Sequence, residues 1–141
     1  MAKPGAPLLS KSTRFLVIDD LPTIRRLVHQ QLSEIGFNEI LEAGDGEEAW
    51  KILSKDDAQA NKIQFVIADW NMPKLSGLEL LNRTREVSWG KELPFILLTS
   101  ENSREQVSAA VIAGVSQYII KPFSRQVLMI KLVEAWKKHN P

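Results

Sequence analysis

Two spacings of apolar residues alternate along the chain. Short, mainly apolar runs stand at residues 15–18, 39–43, 65–68, 95–99 and 118–120. They are partly β-branched and bounded by turn residues, as strands buried in a parallel sheet are. Between them, apolar positions recur three and four residues apart, which predicts helices. Ile24, Leu27, Val28, Leu32 and Ile35 form the first such face, with Pro22 in the opening turn and Gly36 as a stop. A second helix opens at Asp45, where Glu48 stands at capping-box spacing. A third starts at Ser76, with Glu79 three residues on and Leu78 and Leu81 turned inward. The fourth follows Ser103 and sets Val107, Ala110 and Val111 on one face before Gly114. The last begins near Ser124 and runs through Val127, Leu128, Leu132, Val133 and Trp136. Five strands alternating with five helices predict an α/β domain, its parallel sheet covered on both faces. The polar stretch 54–64 reads as a surface loop. Residues 1–12 read as a flexible N-terminal tail, leaving 13–141 as a single domain.

Composition narrows the function classes. The 141 residues suit one domain. Eighteen basic residues against seventeen acidic ones leave a net charge of +1, which asks for neither nucleic acid nor an anionic membrane as partner. The absence of cysteine excludes disulfides, thiolate zinc sites and cysteine nucleophiles. His29 and His139 are the only histidines, too few for a His-rich metal site. No apolar run approaches the ~20 residues of a transmembrane helix, and the N-terminus lacks a signal-peptide core. A cytoplasmic location is expected.

The chemistry lies in what ends the strands. Asp19 and Asp20 close the first, Asp69 the third and Thr99 the fourth, while the fifth leads into Lys121. In a parallel sheet the C-terminal strand ends share one edge, where ligands bind. If the order is 2-1-3-4-5, the first and third strands are neighbours and three carboxylates share a crevice. Such a cluster repels itself, and a divalent cation resolves the repulsion. An all-oxygen donor set suits Mg²⁺ or Mn²⁺ over zinc. A lysine opposite the metal and a threonine hydroxyl complete what a transferring phosphoryl group needs. Asp69 is then the nucleophile, forming an acyl phosphate.

The segments "FLVIDD", "IADWNMPKLSGLELL", "LLTSE" and "YIIKPF" resemble the response-regulator receiver domain of two-component signalling. The likeness runs from about Arg14 to Lys138, and "DWNMP" followed by "SGLELL" is especially similar to the flagellar chemotaxis regulators. It implies a flavodoxin-like (CheY-like) fold whose five parallel strands are ordered 2-1-3-4-5; that order is the family's and is not deduced from spacing. It implies phosphorylation on Asp69 and a Mg²⁺ cofactor. Asp20 and Asp69 would hold the ion directly with the Asn71 backbone carbonyl, and Asp19 through water. Lys121 would pair with the phosphoryl group, Thr99 would turn its hydroxyl toward it, and Tyr118 would change rotamer. The surface of the fourth helix, fifth strand and fifth helix would change in response. A cis Lys121–Pro122 bond is implied as well. Asn71 and Glu101 occupy the positions that tune dephosphorylation.

The implied partners are a CheA-like histidine kinase, a flagellar motor switch protein or another target, and a phosphatase. The protein is expected to be a monomer that acts by protein contact and not as an enzyme on external substrates. Some positions depart from the family's pattern. Ser76 replaces an acid, Ser100 follows Thr99 where alanine is common, and Val115 stands near Tyr118 where a smaller residue is frequent. Lys131 and Lys138 fit a basic output face that Glu134 interrupts. Trp70 is expected beside the acids; Trp50, Trp89 and Trp136 are expected in the core or covering it. Arg25, Arg26 and the end "KKH" (137–139) are expected to face solvent. A non-flagellar phosphorelay shuttle or adaptor is the nearest alternative. A magnesium phosphatase with an aspartyl nucleophile would want a second acid where Asn71 stands. A flavin protein would want a phosphate cradle where the two acids stand.

Overall fold

The computed structural model describes residues 8–55, 62–101 and 103–141. Strand β1 (Arg14–Ile18) is followed by α1 (Pro22–Ile35), β2 (Glu39–Ala43) and α2 (Gly46–Leu53). Then come β3 (Phe65–Asp69), α3 (Gly77–Arg85), a 3-10 turn (Ser88–Gly90) and β4 (Phe95–Thr99), followed by α4 (Arg104–Ala113), β5 (Gln117–Ile120) and α5 (Arg125–His139). The strands form one parallel sheet in the order β2-β1-β3-β4-β5, the arrangement the family resemblance implied.

Side chains alternate across a pleated sheet, so each strand feeds two cores. Leu16, Ile18, Val66, Ala68, Phe95 and Leu97 meet Leu80, Leu81 and Ala110 on one face. Phe15, Val17, Phe65, Ile67, Ile96, Leu98 and Ile119 meet Val28, Leu32, Leu128, Leu132 and Trp136 on the other. On the second face Phe65 stacks with Phe15 at 5.0 Å between ring centroids and with Trp136 at 6.2 Å. Each such large side chain contributes about 1.5–3 kcal/mol by leaving water. Double-sided burial of the central strands explains their continuous apolar runs. The edge strand β2 buries only Ala43 fully, which is why "EILEA" alternates.

The helices begin where their caps stand. Ser76 and Glu79 complete a reciprocal capping box on α3, and Ser103 and Ser124 accept backbone N–H groups of α4 and α5. Each cap is worth about 1 kcal/mol. At α2 only half of the expected box forms: Asp45 accepts the Glu48 N–H at 2.8 Å, but the Glu48 side chain accepts from Gly44. Gly114 ends α4 in the left-handed region at φ 87°, a conformation that costs glycine little.

Several expected faces are rotated. Leu27, Val111 and Val127 are exposed, whereas Leu80 is fully buried beside Leu81. The α4 helix is thin-cored, burying only Ala110 completely. Residues 1–7 of the expected tail and 56–61 of the polar loop lie outside the described residues. Beyond them the chain is anchored: Ser10 and Thr13 bond reciprocally, the Lys11 carbonyl accepts from Asn38, and Ile63 is buried. Among the described residues, no helix is long and apolar enough to cross a membrane.

Candidate functional site

The C-terminal strand ends meet as anticipated. Trp70 N–H bonds the Leu98 carbonyl at 2.9 Å, and Lys121 N–H bonds that of Thr99 at 2.8 Å, continuing the ladder into the loops. Asp69 ends central strand β3 and is buried, as is Asp19 just beyond β1; Asp20 is exposed at the rim. One carboxylate oxygen from each of Asp19, Asp20 and Asp69 lies within 4.8 Å of the others. Lys121 reaches in from the opposite side. Its Nζ is 2.6 Å from Asp69 Oδ1 and 3.8 Å from Asp19 Oδ2. The Lys121–Pro122 bond is cis, as the resemblance implied.

Three carboxylates face one ammonium, so two negative charges in this group lack a counter-charge. Asp19 carries the imbalance. Its Oδ1 accepts the Leu21 N–H at 3.0 Å, but its Oδ2 is buried without a hydrogen-bond partner. Burial first, then the charges of Asp69 and Asp20, hold the Asp19 carboxyl above its ordinary value, against the Leu21 N–H and Lys121. An orphaned carboxylate oxygen in an all-oxygen cluster fits a hard divalent cation such as Mg²⁺. The residues present therefore suit the ion.

The other predicted site residues stand on β4 and β5 and in the loops that follow β3 and β4. Thr99 is buried, and its hydroxyl donates to the Glu101 carbonyl while accepting the Glu101 N–H, both at 3.1 Å. Thus Thr99 and Glu101 are already coupled. Tyr118 and Val115 are half-buried against the first core; Asn71, two residues after Asp69, and Ser100, next to Thr99, are exposed. Trp70 is buried in the same core. Trp50 and Trp89 pack together at 5.7 Å, with the Arg83 guanidinium 5.3 Å above the Trp50 ring. Lys131 lies 3.3 Å from Gln117; Lys138 and Glu134 are exposed.

Gly77 makes the close approach behind Asp69. A Cβ there would stand 2.3 Å from the Asp69 carbonyl oxygen, so only glycine lets α3 start this close to the acid. Two expectations of solvated charge are corrected. Arg26 is exposed, but Arg25 turns inward: its Nη1 donates to the Asp19 carbonyl oxygen and its Nε to Glu42, both at 2.8 Å. Lys137 and Lys138 are exposed, but His139 is half-buried between Ser116 at 2.8 Å and Glu92 at 3.1 Å. Neither inward turn shows in helical spacing, because long polar side chains reach partners beyond their own face.

A family model for the response regulator receiver domain matches residues 15–133. The chain belongs to the response regulator receiver family. Among its relatives, the chemotaxis protein CheY1 of Helicobacter pylori is 44% identical over 119 residues, covering 84% of this chain and 93% of that protein. The chemotaxis protein CheY homolog of Campylobacter jejuni is 40% identical, covering 84% and 88%. Among solved structures, chemotaxis response regulator CheY4 of Vibrio cholerae superposes with a TM-score of 0.77 at 31% identity, covering 88% of this chain and 98% of that one. A putative response regulator of Chloroflexus aurantiacus reaches 0.80 at 28% identity, covering 90% and 99%. Receiver domains are signalling phospho-acceptors that hold Mg²⁺ at an acidic pocket, and Asp19, Asp20 and Asp69 form an acidic cluster in this chain. Membership sets aside the phosphatase and flavin readings.

Proposed function

We propose that this receiver accepts a phosphoryl group from a histidine kinase on Asp69 and signals in chemotaxis through phosphorylation-dependent protein binding. The observation that carries the reading is the Lys121–Asp69 contact at 2.6 Å beside a buried Asp19 Oδ2 that has no hydrogen-bond partner. One free Asp69 oxygen attacks the phosphorus of a phosphohistidine; the O–P bond forms as the N–P bond breaks, and its electron pair stays on the imidazole. Lys121 then neutralises a phosphoryl oxygen where it now pairs with Asp69. Asp20, Asp69 and the Asn71 carbonyl would hold Mg²⁺ directly and Asp19 through water. When bound, the ion neutralises developing charge on the phosphoryl oxygens.

Thr99 gives up its bonds to Glu101 when its hydroxyl turns to the phosphoryl group, and Tyr118 follows inward. The two elements flanking β5 carry exposed apolar side chains, Val111 and Ile112 on α4 and Val127 and Ile130 on α5, which supports a docking output. A CheA-like kinase upstream, a flagellar motor switch protein or another target downstream and a phosphatase that resets the state are the partners this reading assigns, in keeping with relatives that are chemotaxis proteins. Asn71 and Glu101 tune the lifetime of the acyl phosphate. The unit is a single domain spanning 13–141, cytoplasmic and monomeric, that promotes only its own phosphorylation and dephosphorylation.

The test is incubation with Mg²⁺ and acetyl phosphate, followed by intact mass and tryptophan fluorescence. One labile phosphoryl group is expected, lost in Asp69→Asn and without Mg²⁺. An unchanged mass in the unsubstituted protein would refute the reading.

A further inference from the structure

The acid loop is held from behind by a chain of polar contacts that the phosphoryl chemistry does not use. Ladder pairing of β1 with β2 ends at Ile18 and Ala43, and the Asp19 N–H still reaches the Ala43 carbonyl at 3.2 Å. The Asp19 carbonyl lies past that end. It accepts from Arg25 Nη1 at 2.8 Å. Arg25 stands in the first turns of α1, where its own N–H bonds the Leu21 carbonyl at 3.0 Å. Its Nε donates to Glu42 Oε1 at 2.8 Å, and the other Glu42 oxygen is 2.7 Å from His29 Nδ1. Burial opposes ionisation of Glu42, yet the bonds from Arg25 and His29 hold its carboxyl below the ordinary value. The contacts therefore link β2, α1 and the β1–α1 loop.

We propose that Arg25, held in place by Glu42, is a positioning residue that fixes the Asp19–Asp20 peptide and so presets both carboxylates for Mg²⁺. The peptide whose carbonyl Arg25 grips is the one that joins the two acids. Its plane sets the direction of Asp19, buried inward, against Asp20, exposed at the rim. A planar guanidinium suits this task because it bonds two acceptors at once in a fixed geometry, which a lysine ammonium on a flexible stem does not. Glu42 has a second role. By engaging Nε it keeps the guanidinium on the backbone side of the acids, so Arg25 does not fold over the carboxylates and displace the ion. A loop ordered before the metal arrives loses less conformational freedom on binding, and affinity rises accordingly.

The proposal rests on the receiver reading, and its test separates the two. Mg²⁺ affinity is measured by intrinsic fluorescence titration for the unsubstituted protein, Arg25→Ala, Arg25→Lys and Val28→Ala. The last truncates a buried residue on the same helix without touching the acids. Arg25→Ala is expected to weaken Mg²⁺ about tenfold, the low end of the loss seen when outer partners of metal ligands are removed. Arg25→Lys is expected to recover part of that loss, and Val28→Ala to lower the melting temperature with unchanged Mg²⁺ affinity. In metal-free protein, amide exchange at Asp20 and Leu21 is expected to quicken in Arg25→Ala alone. Unchanged affinity in Arg25→Ala overturns the proposal and leaves the receiver reading standing. Loss of affinity in Val28→Ala as large as in Arg25→Ala also overturns it, since helix stability would then explain both. An unsubstituted protein without any Mg²⁺ response defeats the receiver reading itself, and the proposal with it.

Discussion

Replacing Asp19 by Asn should make the metal-free protein more stable while removing most of its response to Mg²⁺. Asp19 is 1% exposed, its Oδ2 has no hydrogen-bond partner, and Lys121 stands 3.8 Å away, beyond hydrogen-bond reach. A buried polar group left unsatisfied costs about 1–3 kcal/mol, and more when charged. Asn keeps the shape and the oxygen that accepts the Leu21 N–H, but removes the charge that faces Asp69 and Asp20. Part of the cost returns because the new amide needs an acceptor, so a net gain of about 1–2 kcal/mol is expected. For a domain of this size that is roughly 3–6 °C in melting temperature. The pH dependence has a definite sign. Burial and the neighbouring acids raise the folded-state value of Asp19 above the ordinary 3.8. The protonated form therefore contributes stability that is fully present below the ordinary value and lost as pH rises through the folded value. The advantage of Asp19→Asn should thus be present at neutral pH and shrink as the solution is made acid. The assay is urea and thermal unfolding with and without Mg²⁺. Saturating metal at about 100 times Kd should stabilise the unsubstituted protein by about 2.7 kcal/mol and the variant by much less. A variant less stable than the unsubstituted protein in metal-free neutral buffer would show that the buried Asp19 charge is not a cost to the fold.

Two further substitutions test other parts of the account. Gly77→Ala places a methyl 2.3 Å from the Asp69 carbonyl oxygen and 2.9 Å from Leu97 Cδ2, so it should cost about 1–3 kcal/mol in urea unfolding and slow phosphorylation. His139 sits half-buried between Ser116 and Glu92, and burial, with Arg85 and Lys138 nearby, pushes it below its ordinary 6.5 against the pull of Glu92. Its depressed value means stability fully present above the ordinary value and lost as pH falls through the folded one. Thermal melts across the mildly acid range should therefore show a shallower pH slope in His139→Gln.

What the sequence discloses depends on how local the cause is. Continuous apolar runs locate the central strands because β1, β3 and β4 bury both faces, and the acids ending them become one cluster once the sheet is parallel. Caps at Ser76, Ser103 and Ser124 are visible because they act over three residues. Exposure of Leu27, Val111 and Val127 is not visible, since helical spacing defines a stripe but not how much of it the sheet covers. The inward turns of Arg25 and His139 depend on partners from other elements, Glu42 and the Asp19 carbonyl for one, Ser116 and Glu92 for the other. Those pairings arise only when the sheet assembles. The orphaned Asp19 Oδ2 likewise belongs to the folded state, and it is the feature that points to a cation.

The most direct measurement locates the phosphoryl group. Protein treated with Mg²⁺ and acetyl phosphate is quenched with hydroxylamine, which converts an acyl phosphate to a hydroxamate, and its peptides are mapped by mass. A hydroxamate is expected at Asp69 alone, and none when Mg²⁺ is withheld. Modification at another carboxylate, or a phosphoryl group that resists hydroxylamine, would contradict an acyl phosphate at Asp69.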